Sequence, residues 1–421
     1  MKSPLSNGVG GRDTVPQKTG KGYIIQSVFN RLKLSDRDLS PWRESQTSYA
    51  HLYFQNCLML NGYRIIDADC HVFEPADLWV NYLEPQFREF APSPPDMKIK
   101  GEKIYHKIPG QIHQYIVSKV AQNHPTSAYA NGFDPESHLM AMGQMQTDIA
   151  FLYPSLGLWV LTIDTLSPQV AGALTRAYNN WLLDFCSYNP AMLKGVGAIN
   201  LHAPEEMIPE LHRIAKFGWK AVFLYPNPVK GRLLSDRAYE AFWTECEQLG
   251  IAVGLHECGS HGRLPTTGAD RFNTQFAMHA CSHPMEQMMA LLALIEGGVL
   301  ERHPRLKVGF LESGCSWLQY WLWRLDEEYE KLHWEVKDNV KIKPSEYFHR
   351  QCFVSIEPSE ACLPEVVEYI GTDNLIFGSD YPHWDHSRDI VNSIIALEDS
   401  LSKATVQKIV WDNPCRFYGL S

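Results

Sequence analysis

Short apolar runs alternate with longer amphipathic segments along the chain from about residue 64 to its end. Runs of this length, separated by helical periodicity, are typical of strands in a parallel sheet covered by helices. The pattern predicts eight strands, at 64–71, 148–154, 194–201, 219–224, 251–256, 306–311, 352–356 and 375–378.

The segments between these strands carry the start and stop signals of helices. Ser167 followed by Pro168 is an N-cap followed by proline at the first helical position, and Gly218 and Gly250 follow predicted helix ends. The predicted helices cover 168–188, 204–217, 236–249, 284–300, 316–334 and 360–370.

Eight strands that are nearly all separated by helices predict an α/β fold, a (β/α)8 TIM barrel. A doubly wound open sheet is the alternative. The phosphate-loop motifs GxGxxG and GxxxxGK[ST] follow none of the predicted strands, which favours the barrel.

Two regions do not follow the alternation. Residues 1–62 are predicted to form an N-terminal extension, partly mobile, before a barrel domain at 63–421. Residues from about 78 to 146 are rich in proline, histidine and glutamine and form a long insertion after the first strand. Long insertions without a periodic pattern are often lids over a site.

Composition limits the choice of partner. A net charge of −10 argues against nucleic acid or an anionic membrane, so a small-molecule substrate is expected. The ten cysteines include no CxxC pair and indicate free thiols in a reducing compartment. No apolar stretch is long enough to span a bilayer, so we expect a cytoplasmic protein, and a homo-oligomer, with a dimer as the simplest case.

Chemistry-bearing residues gather at the predicted strand ends. Asp69 and His71 are two residues apart and share one face of the first strand. His256 ends the fifth predicted strand, and Glu312 and Asp380 follow the sixth and the eighth. All five would open on the C-terminal rim of a barrel. Two imidazoles and three carboxylates suit one or two divalent ions, with zinc or iron expected and manganese possible. Each residue alone has a structural alternative as a cap, a turn residue or a buried histidine; their coincidence favours a metal site.

Several motifs occur together in a fixed order. They are Asp69-Cys70-His71, His256 after the fifth strand, the run from Glu296 to Lys307, Gly378-Ser379-Asp380-Tyr381-Pro382 and Trp411-Asp412-Asn413-Pro414. In these motifs the chain resembles the amidohydrolase-related branch of the amidohydrolase superfamily, which includes decarboxylases such as aminocarboxymuconate-semialdehyde decarboxylase. The resemblance implies a barrel with one divalent metal held by Asp69, His71, His256 and Asp380.

Two departures from that family bear on the reaction. The first strand often carries His-x-His, where this chain has Asp69. The sixth strand of the well-studied decarboxylases ends in histidine, where this chain has Glu312. A carboxylate at this position can act as a general base or bind a second cation.

The departures favour a metal-dependent hydrolase that uses a metal-activated water on a small organic acid, ester, thioester or related carbonyl compound. Asp380 and Glu312 are the expected bases. His283, just before the helix that follows the fifth strand, is a further catalytic candidate that would face the site from the loop, with a helix-capping role as the alternative. The alternatives are a non-oxidative decarboxylase of an aromatic or muconate-like acid and a barrel without catalysis. His261, His279, His383 and His386 are weaker candidates near the same rim.

Overall fold

Eight parallel strands form one sheet in which each strand pairs with the next along the chain. The computed structural model describes residues 62–75, 77–93, 97–102, 133–258, 264–383, 386, 387 and 389–420. The strands are β1 (Ile66–His71), β2 (Ile149–Tyr153), β3 (Leu193–Ala198), β4 (Ala221–Leu224), β5 (Ala252–Leu255), β6 (Val308–Phe310), β7 (Cys352–Ile356) and β8 (Leu375–Phe377).

The first and last strands meet just beyond the end of β8. The amide of Asp380 donates to the carbonyl oxygen of Asp69 at 2.9 Å, and the amide of His71 donates to the carbonyl oxygen of Tyr381 at 2.6 Å. These bonds bring the two edges of the sheet together. The predicted TIM barrel is therefore confirmed, and the open doubly wound sheet is wrong.

Helices cover the outside of the barrel. They are α1 (Leu78–Tyr82), α2 (Pro135–Met145), α3 (Leu156–Leu161), α4 (Pro168–Cys186), α5 (Pro204–Lys216), α6 (Glu240–Leu249), α7 (Gln275–Glu296), α8 (Val299–Arg302), α9 (Ser316–Val336), α10 (Pro344–Gln351), α11 (Leu363–Ile370), α12 (Ile390–Ala396), α13 (Glu398–Leu401), α14 (Lys403–Gln407) and α15 (Asn413–Tyr418). As predicted, the Ser167 side chain caps α4 by accepting from the amide of Val170.

The helix after β5 differs from its prediction. It begins at Gln275, where the Thr274 side chain accepts from the amide of Ala277, and Pro284 lies inside it. The Ser-His-Pro sequence at 282–284 resembles a helix start, but the Thr274 cap begins the helix more than two turns earlier. His283 is therefore a helical residue, fixed by the backbone, and not a loop residue.

The end of the predicted insertion is also a regular element. The Asp134 side chain caps α2 by accepting from the amide of Ser137 at 2.9 Å, and Leu139 and Met142 are buried in the core. This part of the segment is therefore a packed helix. Residues 103–132 of the insertion and residues 1–61 lie outside the described residues.

Aromatic side chains fill part of the barrel core. The Tyr418 hydroxyl donates to the carbonyl oxygen of Ala68 at 2.6 Å and lies 3.0 Å from the Tyr153 hydroxyl. All three residues are buried, so β1, β2 and the C-terminal helix share one network. Among the helices described, none is both long and apolar enough to cross a membrane.

Replacing Tyr418 with Phe should destabilise the fold. The change leaves the buried Ala68 carbonyl oxygen without its donor, which costs about 1–3 kcal/mol of unfolding free energy. Urea unfolding measures the loss. Tyr188→Phe is the matched control, since the Tyr188 side chain is 57% exposed and should change stability little. Equal stability of the two variants would contradict a structural role for the Tyr418 hydroxyl.

Candidate metal centre and active site

The five rim residues predicted from sequence come together at the C-terminal ends of the strands. Asp69 and His71 lie on β1, and His256 directly follows β5. Glu312 and Asp380 follow β6 and β8 with positive φ angles of 49° and 55°. Non-glycine residues rarely adopt this conformation, and where they do the strain is often connected with function.

The side-chain atoms of these residues are spaced like the ligands of one ion. The Asp69 Oδ1 atom lies 3.5 Å from His71 Nε2 and 3.6 Å from His256 Nε2. The Asp380 Oδ1 atom is 3.3 Å from His71 Nε2, and Glu312 Oε2 is 2.9 Å from His256 Nε2. Ligands about 2.1 Å from a cation in tetrahedral or octahedral coordination are about 3.0–3.4 Å apart. A divalent ion therefore fits among them.

The two histidines are oriented for metal binding by their other ring nitrogen. The Nδ1 atom of His71 lies 2.8 Å from the carbonyl oxygen of Pro154, and that of His256 lies 2.7 Å from the carbonyl oxygen of Glu257. Because a carbonyl oxygen only accepts, each Nδ1 must carry the proton. In the neutral ring Nε2 then presents its lone pair to the rim, as in metal-bound histidines.

Buried polar atoms without a hydrogen bond also mark the site. Among the described residues, Asp69 Oδ1 and His71 Nε2 are buried and have no hydrogen-bond partner. Leaving such atoms unsatisfied costs free energy, and a cation removes that cost. The donor set of the rim therefore fits a divalent metal ion.

Burial and the neighbouring charges shift the titration of the cluster. Burial, followed by the nearby His256, lowers the pKa of His71 to about 3. Burial raises the pKa of Asp69 to about 6, although His256 acts in the opposite direction. Burial alone would also raise the pKa of Glu312, but His283 and His256 hold it well below its ordinary value. The His71 imidazole is therefore neutral at physiological pH and available as a ligand.

The third imidazole of the cluster comes from the middle of α7. His283 is buried; its Nε2 atom lies 3.6 Å from Glu312 Oε1, and its Nδ1 atom lies 3.7 Å from Glu257 Oε2. The ring thus lies between two carboxylates, of which Glu312 borders the metal-binding set. The structure thus places His283 beside Glu312, from a position inside α7.

His383 is a site residue that the sequence only weakly suggested. Its Nδ1 atom lies 2.5 Å from Asp380 Oδ1, its Nε2 atom lies 2.9 Å from Ser155 Oγ, and its ring centroid is 4.0 Å from that of His71. His71, Glu312, Asp380 and His383 together form a second possible ligand group. The only sequence feature that pointed to His383 was its position three residues after Asp380.

The other weak candidates lie around this centre. The His386 Nδ1 atom contacts the carbonyl oxygen of Ser379 at 2.8 Å and supports the segment after β8. The His279 ring is 4.5 Å from the His283 ring and lies one turn before it on α7. His261 lies outside the described residues.

Fold and site together define a metal-dependent enzyme built on a TIM barrel. The family model described as Amidohydrolase matches residues 66–420, and the chain belongs to this family. It is 26% identical over 295 residues to 2-amino-3-carboxymuconate-6-semialdehyde decarboxylase from Dictyostelium discoideum, a match that covers 69% of this chain and 78% of the relative.

Solved structures show the same fold. An amidohydrolase from Mycobacterium avium subsp. paratuberculosis superposes with a TM-score of 0.68 at 20% identity, covering 86% of this chain and 99% of the other. A 5-carboxyvanillate decarboxylase from Novosphingobium aromaticivorans, complexed with manganese and 4-hydroxy-3-methoxy-5-nitrobenzoic acid, has a TM-score of 0.64 at 19% identity, covering 87% and 99%.

The prediction of a hydrolase is wrong. The relative from Dictyostelium discoideum is a decarboxylase, and decarboxylases recur among the similar structures. The prediction gave most weight to Glu312, since a carboxylate beside a metal suits the activation of water. The same carboxylate can equally serve another metal-dependent reaction, so residue type alone did not decide the chemistry.

Replacing His256 with Ala should remove most of the bound metal, because the change deletes a buried nitrogen at the centre of the ligand set. Metal content per chain, measured by atomic spectroscopy after dialysis, tests this. His202→Gln is the matched control: His202 is buried, bonded to the carbonyl oxygen of Ile163, and belongs to neither possible ligand group. Full occupancy in the His256 variant would refute the assignment.

Proposed function

We propose that this chain is a divalent-metal-dependent decarboxylase that removes carbon dioxide, without an oxidant, from a small aromatic or muconate-like acid. The observation that carries the proposal is the match to the Dictyostelium discoideum decarboxylase. The rim supports it with the two parts that such a reaction needs, a cation-binding set and acidic groups beside it. Manganese is the ion we propose first, because the 5-carboxyvanillate decarboxylase structure contains it.

The metal would be held by Asp69, His71, His256 and Asp380, with Glu312 as a further possible ligand. A mixed set of carboxylate and imidazole donors suits manganese, zinc or iron. When bound, the cation supplies positive charge that anchors the oxygen atoms of an acidic substrate and withdraws electron density from it. The pKa of His71, held near 3 by burial, keeps that ligand from being protonated at neutral pH.

The reaction also requires side chains that deliver one proton to the substrate carbon. In the proposed reaction the bond between the ring or chain carbon and its carboxylate breaks, carbon dioxide leaves, and the electron pair stays on carbon until a proton is added. We assign this proton transfer to the pair formed by Glu312 and His283, with Asp380 as the other acid–base candidate. The distance of 3.6 Å between Glu312 and His283 is long for a hydrogen bond, and such contacts commonly shorten when substrate binds.

His383 completes this arrangement. It contacts Asp380 through Nδ1 and Ser155 through Nε2, so it fixes the carboxylate of Asp380 at the rim. The same Nδ1 atom lies 4.0 Å from Glu312 Oε1, so His383 is close to both acid–base candidates beside the ligand set.

The manganese-loaded protein should release carbon dioxide from at least one acid in a panel of hydroxybenzoates and carboxymuconate semialdehydes. Release measured with a coupled carbon dioxide assay, together with identification of the product carrying hydrogen in place of the carboxylate, tests the reaction. Metal-free protein is the control. Cleavage of carboxylic esters with no carbon dioxide from any acid would overturn the proposal.

Replacing Glu312 with Gln should lower kcat for decarboxylation by about 10²–10⁴-fold, the usual contribution of a positioned acid–base group. Metal content is measured in parallel, so that a loss of metal is separated from a loss of proton transfer. Glu368→Gln, a change at an exposed position on α11, is the control and should leave kcat unaltered. Unchanged turnover in the Glu312 variant would remove this residue from the mechanism.

A further inference from the structure

Glu74 is a buried carboxylate just beyond β1 that the proposed reaction does not use. Its side chain is 2% exposed, and its partners are three consecutive backbone amides. Oε1 accepts from Ser155 at 3.2 Å and from Gly157 at 3.0 Å, while Oε2 accepts from Leu156 at 2.8 Å. Within the described residues, no Lys, Arg or His side chain forms an ion pair with Glu74.

The segment that Glu74 holds carries two contacts to the metal centre. The carbonyl oxygen of Pro154 accepts from His71 Nδ1 at 2.8 Å, and Ser155 Oγ lies 2.9 Å from His383 Nε2. Pro154 immediately precedes the three residues whose amides Glu74 binds, and Ser155 is the first of those three. A displacement of this segment would therefore rotate the His71 ring and release His383 together.

The local sequence allows this close approach. A Cβ atom at position 157 would lie 2.6 Å from Glu74 Oε1, so glycine is required there. Burial raises the pKa of Glu74 to about 7, while the amide hydrogen bonds oppose that shift. Three converging N–H groups match the two oxygens of the carboxylate and offset the cost of burying it.

We propose that Glu74 is a positioning residue that orients the metal ligand His71, and with it His383, by fixing residues 154–157. The inference rests on the proposed function for the role of His71 as a ligand. Replacing a residue that orients a metal ligand typically weakens metal binding by about 10–100-fold. Its effect should therefore appear in metal binding and not only in stability.

The test compares Glu74→Gln with the wild-type chain in manganese titrations by calorimetry, starting from chelator-treated protein. Glutamine offers only one acceptor oxygen, and its NH₂ group would face a backbone N–H donor without forming a hydrogen bond. The segment 154–157 should therefore loosen. We expect manganese to bind at least about tenfold more weakly. Faster hydrogen exchange of the amides of 155–157 should accompany the loss. Circular dichroism confirms that each sample is folded at the titration temperature.

Glu210→Gln is the matched control. Glu210 is a buried carboxylate on α5 that binds Asn179 and Arg213, and none of its contacts reaches the rim. It should lose stability and keep wild-type manganese affinity. If the Gln variant at position 74 does not fold, Glu74→Asp takes its place, because the side chain is one methylene shorter and cannot span all three amides.

The outcomes separate this inference from the proposed function. A folded Glu74 variant with wild-type manganese affinity and wild-type amide exchange overturns the positioning role. Wild-type protein that binds manganese but releases no carbon dioxide overturns the proposed function, and the comparison of metal affinities still stands. Weaker binding in Glu74→Gln but not in Glu210→Gln supports the positioning role.

Discussion

The metal centre depends on the contact that closes the barrel. Asp69 and Asp380 lie at opposite ends of the domain sequence, and the amide of Asp380 donates to the carbonyl oxygen of Asp69. Gly378 makes this approach possible, because a Cβ atom there would lie 2.5 Å from that of Asp69. Without closure, the carboxylate after β8 would not reach the ligand pair of β1, and the rim would hold two incomplete half-sites.

Closure also concentrates charge at a largely buried rim. Asp69, Glu312 and Asp380 bring three carboxylates around the buried His71 and His256. Carboxylates so close together remain ionised only when positive charge compensates them. The raised pKa of Asp69 and the lowered pKa of Glu312 show the same competition, with burial opposing ionisation and neighbouring imidazoles favouring it. A divalent cation bound among these groups would supply the compensating positive charge.

The sequence predicted the barrel and its rim because both depend on local, periodic signals. The apolar run of β7 coincides with its strand, and Ser167 caps α4 as its residue type suggests. The errors have separate causes. Pro284 resembled a helix start, yet α7 begins at the Thr274 cap, and the role of His383 depends on a contact with Ser155, more than 200 positions away. The reaction was mispredicted because a carboxylate at position 312 is compatible with either chemistry.

The rim residues are held by neighbouring loops as well as by their own strands. Glu74, after β1, binds the amides that begin the segment after β2, and Glu360, after β7, accepts from the amides of Cys315 and Ser316 after β6. In both cases a carboxylate from one loop satisfies unpaired N–H groups where the adjacent helix starts. The Glu74 contacts support the segment that binds His71. The Glu360 contacts begin at Cys315, three residues after Glu312, and support the positive φ of that residue. The segments next to His71 and Glu312 are thus held in the same way, by a carboxylate from the neighbouring loop, on opposite sides of the β1–β8 closure.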